Sequence, residues 1–356
     1  MTALAALSER TVLLDCRWLD VGGIGRMTDL LLRGLADLAP PGRWLCWGHA
    51  DRVAPRLWGS TQAMDASTPP NALWGQADWR RVPPHDVAIH LGPMRPLRFG
   101  PSVTFVYDTI PLRHDAGALV AAARRAYLTA SAALSTRVVT LSSFARSCLE
   151  RDLRVPRQKV DVLRPPVDEQ FAARVAELRG TLPRRDAVLY VGRFAAHKNL
   201  SRLLVAFSAT RFAREGGELV LVGGAEREVQ ALTQFAHTLD GKRITVLGVE
   251  PRPKIDELYA TCRLLALPSL EEGFGLSAWE AVVSGLPVCM SEEAGRAGLG
   301  DWSVATFPAS SVPAMTRALD RALAAPSVMR RPTGRSTRAF AARVAAAAAA
   351  ALARRS

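Results

Sequence analysis

Short apolar runs alternate with amphipathic stretches along this chain, and the alternation starts afresh near its middle. Runs over 11–19, 43–47, 86–91, 103–108 and 138–142 have the length and composition of strands, with helical patterns from Arg26 and over 117–134 and 144–152. The second half repeats the scheme. Strand-like runs at 187–192, 218–223, 243–248, 264–268 and 286–290, the last of the series, are separated by helical patterns at 200–212, from Ala225, at 253–261 and from near Gly275. Two further helical patterns, 312–325 and 336–354, follow. Such alternation makes parallel sheets with crossover helices on both faces. The expected fold class is α/β, with two Rossmann-like parallel-sheet domains facing across a cleft. Ligands of open parallel sheets bind beyond the carboxyl ends of the strands.

Length agrees, because 356 residues suit two domains. We expect an N-terminal domain over 1–165 and a C-terminal domain over 170–330, with the charged stretch 155–185, holding Pro156, Pro165, Pro166 and Pro183, partly a linker. The charge balance is 46 Lys+Arg against 33 Asp+Glu, or +13. That favours anionic partners, but no basic run is interleaved with aromatics, so nucleic acid is not expected. Cys16, Cys46, Cys148, Cys262 and Cys289 are an odd set with no two close in sequence, which argues against a disulfide framework and a zinc site. With no secretory leader and no run of about 18 uncharged apolar residues, a cytoplasmic protein is expected.

The most informative stretch is 268–287, PSLEEGFGLSAWEAVVSGLP. A strand ends at Pro268, a loop carries Glu272, Gly273 and Gly275, and a helix carrying Glu280 follows. Glycines let backbone approach a ligand closely, and a helix N-terminus offers unpaired N–H groups to an anion. Glu272 and Glu280 are too far apart for a tight carboxylate pair and suit two hydroxyl-bearing parts of one long ligand. A glycine turn with a solvated Glu and a helix-face Glu accounts for the spacing equally well. After the strand 187–192 come Gly192, Arg193, Lys198 and Asn199. Two cations there could stabilise charge growing on a leaving diphosphate, while Asn199 reads as a helix N-cap and His197 as a loop residue. Taken singly, either cation is an ordinary surface residue.

The run Glu272-Gly-Phe-Gly-Leu-Ser-Ala-Trp-Glu280, followed by Ala281, Gly285, Pro287 and Val288, together with Gly192-Arg193 and Lys198-Asn199, resembles the retaining GT-B glycosyltransferases of family four, the group 1 glycosyltransferases. Ser277 and Trp279 stand where that family usually has Pro and an aliphatic residue. The resemblance implies that Glu272 meets the donor-sugar hydroxyls and Glu280 the nucleotide ribose. The backbone of Phe274, Gly275 and Leu276 would face the diphosphate, with Gly192, Arg193 and Lys198 at the leaving group and the backbone of Val249 at the base. In the first half it implies that the glycine loop at Gly23 approaches the diphosphate. Asp108, in Val106-Tyr-Asp-Thr-Ile-Pro111, would point toward the reacting carbon or acceptor, and His90 toward the acceptor. The terminal helix, about 336–356, would cross back onto the first domain.

The implied activity is metal-independent hexosyl transfer, with no cofactor beyond the donor. GDP-mannose is favoured and a UDP-sugar is the runner-up. The acceptor would be a saccharide or lipid-linked saccharide of bacterial lipopolysaccharide or exopolysaccharide synthesis, and contact with an anionic inner membrane would be peripheral. The rival readings are a GT-B-like sugar-nucleotide epimerase and a non-catalytic binder of sugar nucleotides or polyanions.

Overall fold

The computed structural model describes residues 3–59, 61–65, 82, 84–93, 95, 100–114, 117–239, 243–324 and 332–353. The chain divides into two compact units, Met1–Val167 with Gly334–Ser356, and Asp168–Thr333.

In the first unit the described elements run β1 (Thr11–Asp15), α1 (Gly22–Leu38), β2 (Arg43–Gly48), α2 (Ala50–Val53), β3 (Gln62–Asp65), β4 (Val87–His90), β5 (Ser102–Phe105), α3 (Ala118–Leu134), β6 (Arg137–Thr140), α4 (Ser143–Leu153) and β7 (Val160–Val162). The sheet order is β3-β2-β1-β4-β5-β6-β7, every pairing parallel. β4 and β5 are buried along their whole length, as strands covered on both faces must be. β1 is shorter than the apolar run suggests: the chain leaves the sheet at Cys16 and turns, with the Leu19 amide donating to the Cys16 carbonyl at 3.0 Å.

The second unit runs α5 (Glu169–Thr181), β8 (Ala187–Val191), α6 (Leu200–Ser208), α7 (Arg211–Arg214), β9 (Glu218–Val222), α8 (Glu226–Thr238), β10 (Ile244–Leu247), α9 (Arg252–Thr261), β11 (Leu264–Leu267), α10 (Leu276–Ser284), β12 (Val288–Ser291), α11 (Glu292–Gly295), β13 (Ala305–Phe307) and α12 (Val312–Ala324). Its sheet order is β10-β9-β8-β11-β12-β13, again parallel. β12 is therefore not the last strand; β13 pairs with it at the edge. The stretch 155–185 is also more structured than a linker. It holds β7, paired with β6, and α5, whose first turn is capped by Asp168 Oδ1 accepting from the Phe171 amide at 3.1 Å. Pro156, Pro165 and Pro166 precede these elements and Pro183 follows α5, so none interrupts them. The single helix expected over 200–212 is two: α6 stops at Ser208, and Thr210 caps α7 by accepting from the Ala213 amide.

The terminal helix α13 (Thr337–Ala353) belongs to the first unit and packs on α1. Its buried face is Phe340, Val344 and a row of alanines. Small side chains let two helix backbones approach closely, and Gly34 of α1 lies where even a Cβ would sit 2.3 Å from the Thr337 carbonyl oxygen.

Candidate functional site

Chain order builds the site of the second unit. The sheet grows outward from β8 through β9 to β10, and then resumes on the other side with β11. β8 and β11 thus flank the topological switch point, where loops leaving the carboxyl ends of neighbouring strands diverge and leave a crevice. The loop after β8 carries Gly192 to Asn199, and the loop after β11 carries Ser269 to Gly275.

The two loops are tied together. The Leu270 amide donates to the His197 carbonyl at 2.8 Å. The Asn199 side-chain amide donates to the Pro268 carbonyl at 3.0 Å and to the Ala309 carbonyl at 2.8 Å. Asn199 does occupy the residue before α6, but it has φ +60° and its side chain makes no capping bond. It is a cross-link between loops. His197, expected in a loop, is buried in a single 3-10 turn.

On this frame Lys198 Nζ donates to Glu272 Oε1 at 2.6 Å, with the two side chains only 17% and 7% exposed. Ser269 Oγ donates to the same oxygen at 2.7 Å. Glu272 Oε2 accepts no hydrogen bond among the described residues, so one oxygen of a fixed carboxylate remains to receive a ligand hydroxyl. Arg193 is exposed, and its guanidinium has no hydrogen bond or ion pair among the described residues. It is near this group: burial pushes the Tyr190 phenol well up, Glu272 adds to that and Arg193 opposes it, while the phenol donates to the Arg193 carbonyl at 2.9 Å.

The loop ends at Gly275, whose φ of +87° favours glycine and which turns the chain into α10. Trp279 N–H closes the first helical bond on the Gly275 carbonyl at 3.0 Å, so the amides of the intervening turn have no partner within the helix. Leu276 opens that turn. Phe274 is buried, its ring 5.9 Å from Trp279, which in turn lies 6.4 Å from Trp302, both pairs edge-on. The departure at Trp279 therefore has a packing account: the indole fills space that Trp302 lines.

Glu280 lies elsewhere on α10 and its Oε1 accepts from Arg252 at 2.7 Å. Val249, in the loop after β10, is 83% exposed. The other expected site residues belong to the first unit. Gly23 is the second residue of α1, which starts at Gly22. Asp108 Oδ1 accepts from the Ile110 amide at 3.0 Å, so this carboxylate shapes the turn after β5. His90 ends β4, directly across from Asp15 at the end of β1, and the two flank the switch point of the first sheet. Arg17 forks onto Asp15 with bonds of 2.9 and 3.0 Å, and His90 Nδ1 is 3.7 Å from Asp15 Oδ2, all three buried. Burial lowers His90 to about 4; burial alone would raise Asp15, but Arg17 and His90 outweigh it and hold it at about 2. The five cysteines are buried and none forms a disulfide, and burial pushes Cys262 and Cys289 up to about 12. Among the described residues no three or more His, Cys, Asp or Glu side chains are grouped to hold a metal ion.

Residues 180–333 match the family Glycosyl transferases group 1. The match falls within the second unit, Asp168–Thr333. A D-inositol 3-phosphate glycosyltransferase of Segniliparus rotundus is 31% identical over 172 residues, covering 45% of this chain and 38% of that protein. The O-antigen chain mannosyltransferase B of Escherichia coli is 30% identical over 177 residues, 46% of each chain. The chain spans less than half the length of these curated relatives. Among solved structures, Anabaena HepE in complex with UDP and glucose matches with a TM-score of 0.68 at 17% identity, over 98% of this chain and 95% of that one. The chain as a whole has the GT-B fold.

The second unit contains two site-shaping residues that sequence reasoning missed. Ser269 fixes Glu272, and a serine three residues ahead of a glutamate carries no recognisable signal. Arg252 binds Glu280 from 28 positions away, and only the fold brings them together.

Proposed function

We propose that this chain is a retaining, metal-independent glycosyltransferase. It moves a hexose, mannose favoured, from a nucleotide-diphosphate sugar to a saccharide or lipid-linked saccharide of bacterial polysaccharide or lipopolysaccharide synthesis. The observation that carries the reading is the Lys198–Glu272 pair at the β8/β11 switch point, with Arg193 beside it and unpaired among the described residues. Glu272 Oε2 accepts a donor-sugar hydroxyl. Lys198, Arg193 and the first-turn amides of α10 receive the diphosphate, whose β-phosphate oxygen keeps the electron pair as its bond to the anomeric carbon breaks. The acceptor oxygen bonds the same carbon on the same face, and its proton passes to the departing phosphate. Glu280 takes the ribose and Val249 backbone the base. The first unit, with Gly23, Asp108 and His90, serves the acceptor side.

A mannosyl donor, GDP-mannose, is supported by the E. coli O-antigen relative's name; the UDP and glucose bound to HepE keep a UDP-hexose as runner-up. No helix among the described residues is long and apolar enough to cross a membrane. Peripheral contact with an anionic membrane is supported by Leu119, 87% exposed, and Val120, 50% exposed, beside exposed Arg124 and Arg125 on α3.

The test is incubation of the full chain with GDP-mannose, UDP-glucose and other sugar nucleotides in EDTA, with saccharide acceptors, followed by analysis of the products. Glycosidic transfer with retained anomeric configuration, lost in Glu272→Gln, is expected. An isomerised nucleotide sugar would make the chain an epimerase, and binding without turnover would make it a binder.

A further inference from the structure

Arg252, the first residue of α9, is held on three sides. Its Nε donates to Asp256 Oδ1 at 2.6 Å, a terminal nitrogen donates to Glu280 Oε1 at 2.7 Å, and its Cζ lies 4.5 Å from the centroid of the Phe171 ring. The second oxygen of Asp256 accepts from Arg174 Nε at 3.1 Å. Four charges of alternating sign, Arg174, Asp256, Arg252 and Glu280, therefore run from α5 across α9 to α10. Asp256 is 3% exposed and Phe171 fully buried, so the Asp256 carboxylate in this run is shielded from solvent and salt while Arg252 is partly exposed.

A glutamate on a helix has three rotatable bonds, and recognising a vicinal diol needs both its oxygens in a fixed plane. One fork of a planar guanidinium pins Oε1, and the other fork and the Phe171 ring keep the guanidinium from turning. We propose that Arg252 is a positioning residue that orients Glu280 toward the donor's ribose diol, so that discrimination of ribose from a sugar lacking those hydroxyls depends on a side chain that does not touch it. The proposal rests on the reading of Glu280 as the ribose acceptor. The alternating chain extends its reach: Asp256, and Arg174 behind it, hold Arg252 in turn.

The experiment measures binding of GDP and UDP, and of their 2′,3′-dideoxy counterparts, to the full chain by calorimetry, with KM and kcat for the preferred donor alongside. In the unaltered protein the ribose form binds more tightly. Glu280→Gln removes most of that preference, about tenfold or more for lost charge-assisted bonds. Arg252→Met removes a large part of it, severalfold, raising KM more than it lowers kcat, and Arg252→Lys recovers only a fraction, since an ammonium cannot fork between two carboxylates. Asp256→Asn, which keeps the packing, loosens the preference in the same direction. If Glu280→Gln removes the preference while Arg252→Met and Asp256→Asn keep the original ratio, Arg252 is merely structural and the inference fails. If Arg252→Met sharpens the preference, Arg252 competes with ribose and the inference is reversed. If Glu280→Gln leaves the ratio unchanged, the ribose reading of Glu280 itself is wrong.

Discussion

Lys198 and Glu272 stand 74 positions apart in sequence and 2.6 Å apart in space, the ammonium of one donating to Oε1 of the other. The pair exists because β8 and β11 are neighbours although β9 and β10 intervene in the chain. It predicts a double effect for Lys198→Ala. Removing one preorganised charge stabiliser lowers kcat about 10²–10³-fold. It also leaves a nearly buried carboxylate without its cation, so melting temperature falls too. Arg193→Ala should separate these effects. Arg193 is exposed and unpaired among the described residues, so its loss costs a comparable factor in rate with stability within about 0.5 kcal/mol. Turnover near normal in both variants would sink the assignment.

Asn199 makes a second prediction. Its amide satisfies the buried carbonyls of Pro268 and Ala309, each a separate loop. Asn199→Ala leaves two acceptors unpaired and costs about 1–3 kcal/mol, read as a lower urea midpoint with unchanged slope. Asn199→Gly relieves the φ of +60° but restores no donor, so it should recover only a small part. A raised donor KM is expected in both, since Pro268 begins the loop that carries Glu272.

The contrast between these residues shows what the sequence makes legible. Glu272, Glu280, Arg193 and Lys198 could be picked out because each stands in a strand-end loop or the helix that follows it, within one local window of the sequence. Asn199 was placed correctly in the chain but given the wrong task, since capping is a local expectation and its real partners are 69 and 110 residues away. The clamp on Glu280 and the Asp15–Arg17–His90 group depend on register and helix packing, which no local window contains. β7 and β13 have three residues each, too short for any periodicity to register. α5 was hidden by prolines that punctuate its approach.

The Asp15–Arg17–His90 group predicts an acid-sensitive fold. His90 titrates near 4 in the folded chain against the ordinary 6.5, so the unfolded chain takes up the proton first. Stability from this residue is fully present above pH 6.5 and declines as pH falls toward 4, by up to about 3 kcal/mol. Asp15, held at about 2, contributes stability above the usual carboxylate range and loses it as pH falls from about 3.8 toward 2. Urea midpoints measured from pH 8 to pH 4 should slope downward below pH 6.5, and His90→Gln should flatten that segment. Identical slopes in the two proteins would contradict the burial argument.

Two glycines in helices should respond to the same substitution with opposite signs. Gly180, near the end of α5, has open space where a Cβ would go, so Gly180→Ala gains about 0.5–1 kcal/mol from backbone entropy alone. Gly34 of α1 has the same intrinsic preference, but its new Cβ would lie 2.3 Å from the Thr337 oxygen and 2.7 Å from the Thr337 carbonyl carbon, both backbone atoms of α13. A backbone cannot rotate away, so α13 must shift, and overpacking outweighs propensity by about 1–3 kcal/mol. The double variant Gly34→Ala with Ala341→Gly should not recover, because the Ala341 Cβ, 3.0 Å away, is the lesser contact. The damage should be local: amide exchange and protease cutting should rise over 337–353 before the rest of the first unit opens, since α13 packs most extensively on α1 and loses that contact first. A Gly34→Ala protein as stable as Gly180→Ala would mean that the two helices are not in contact at this point.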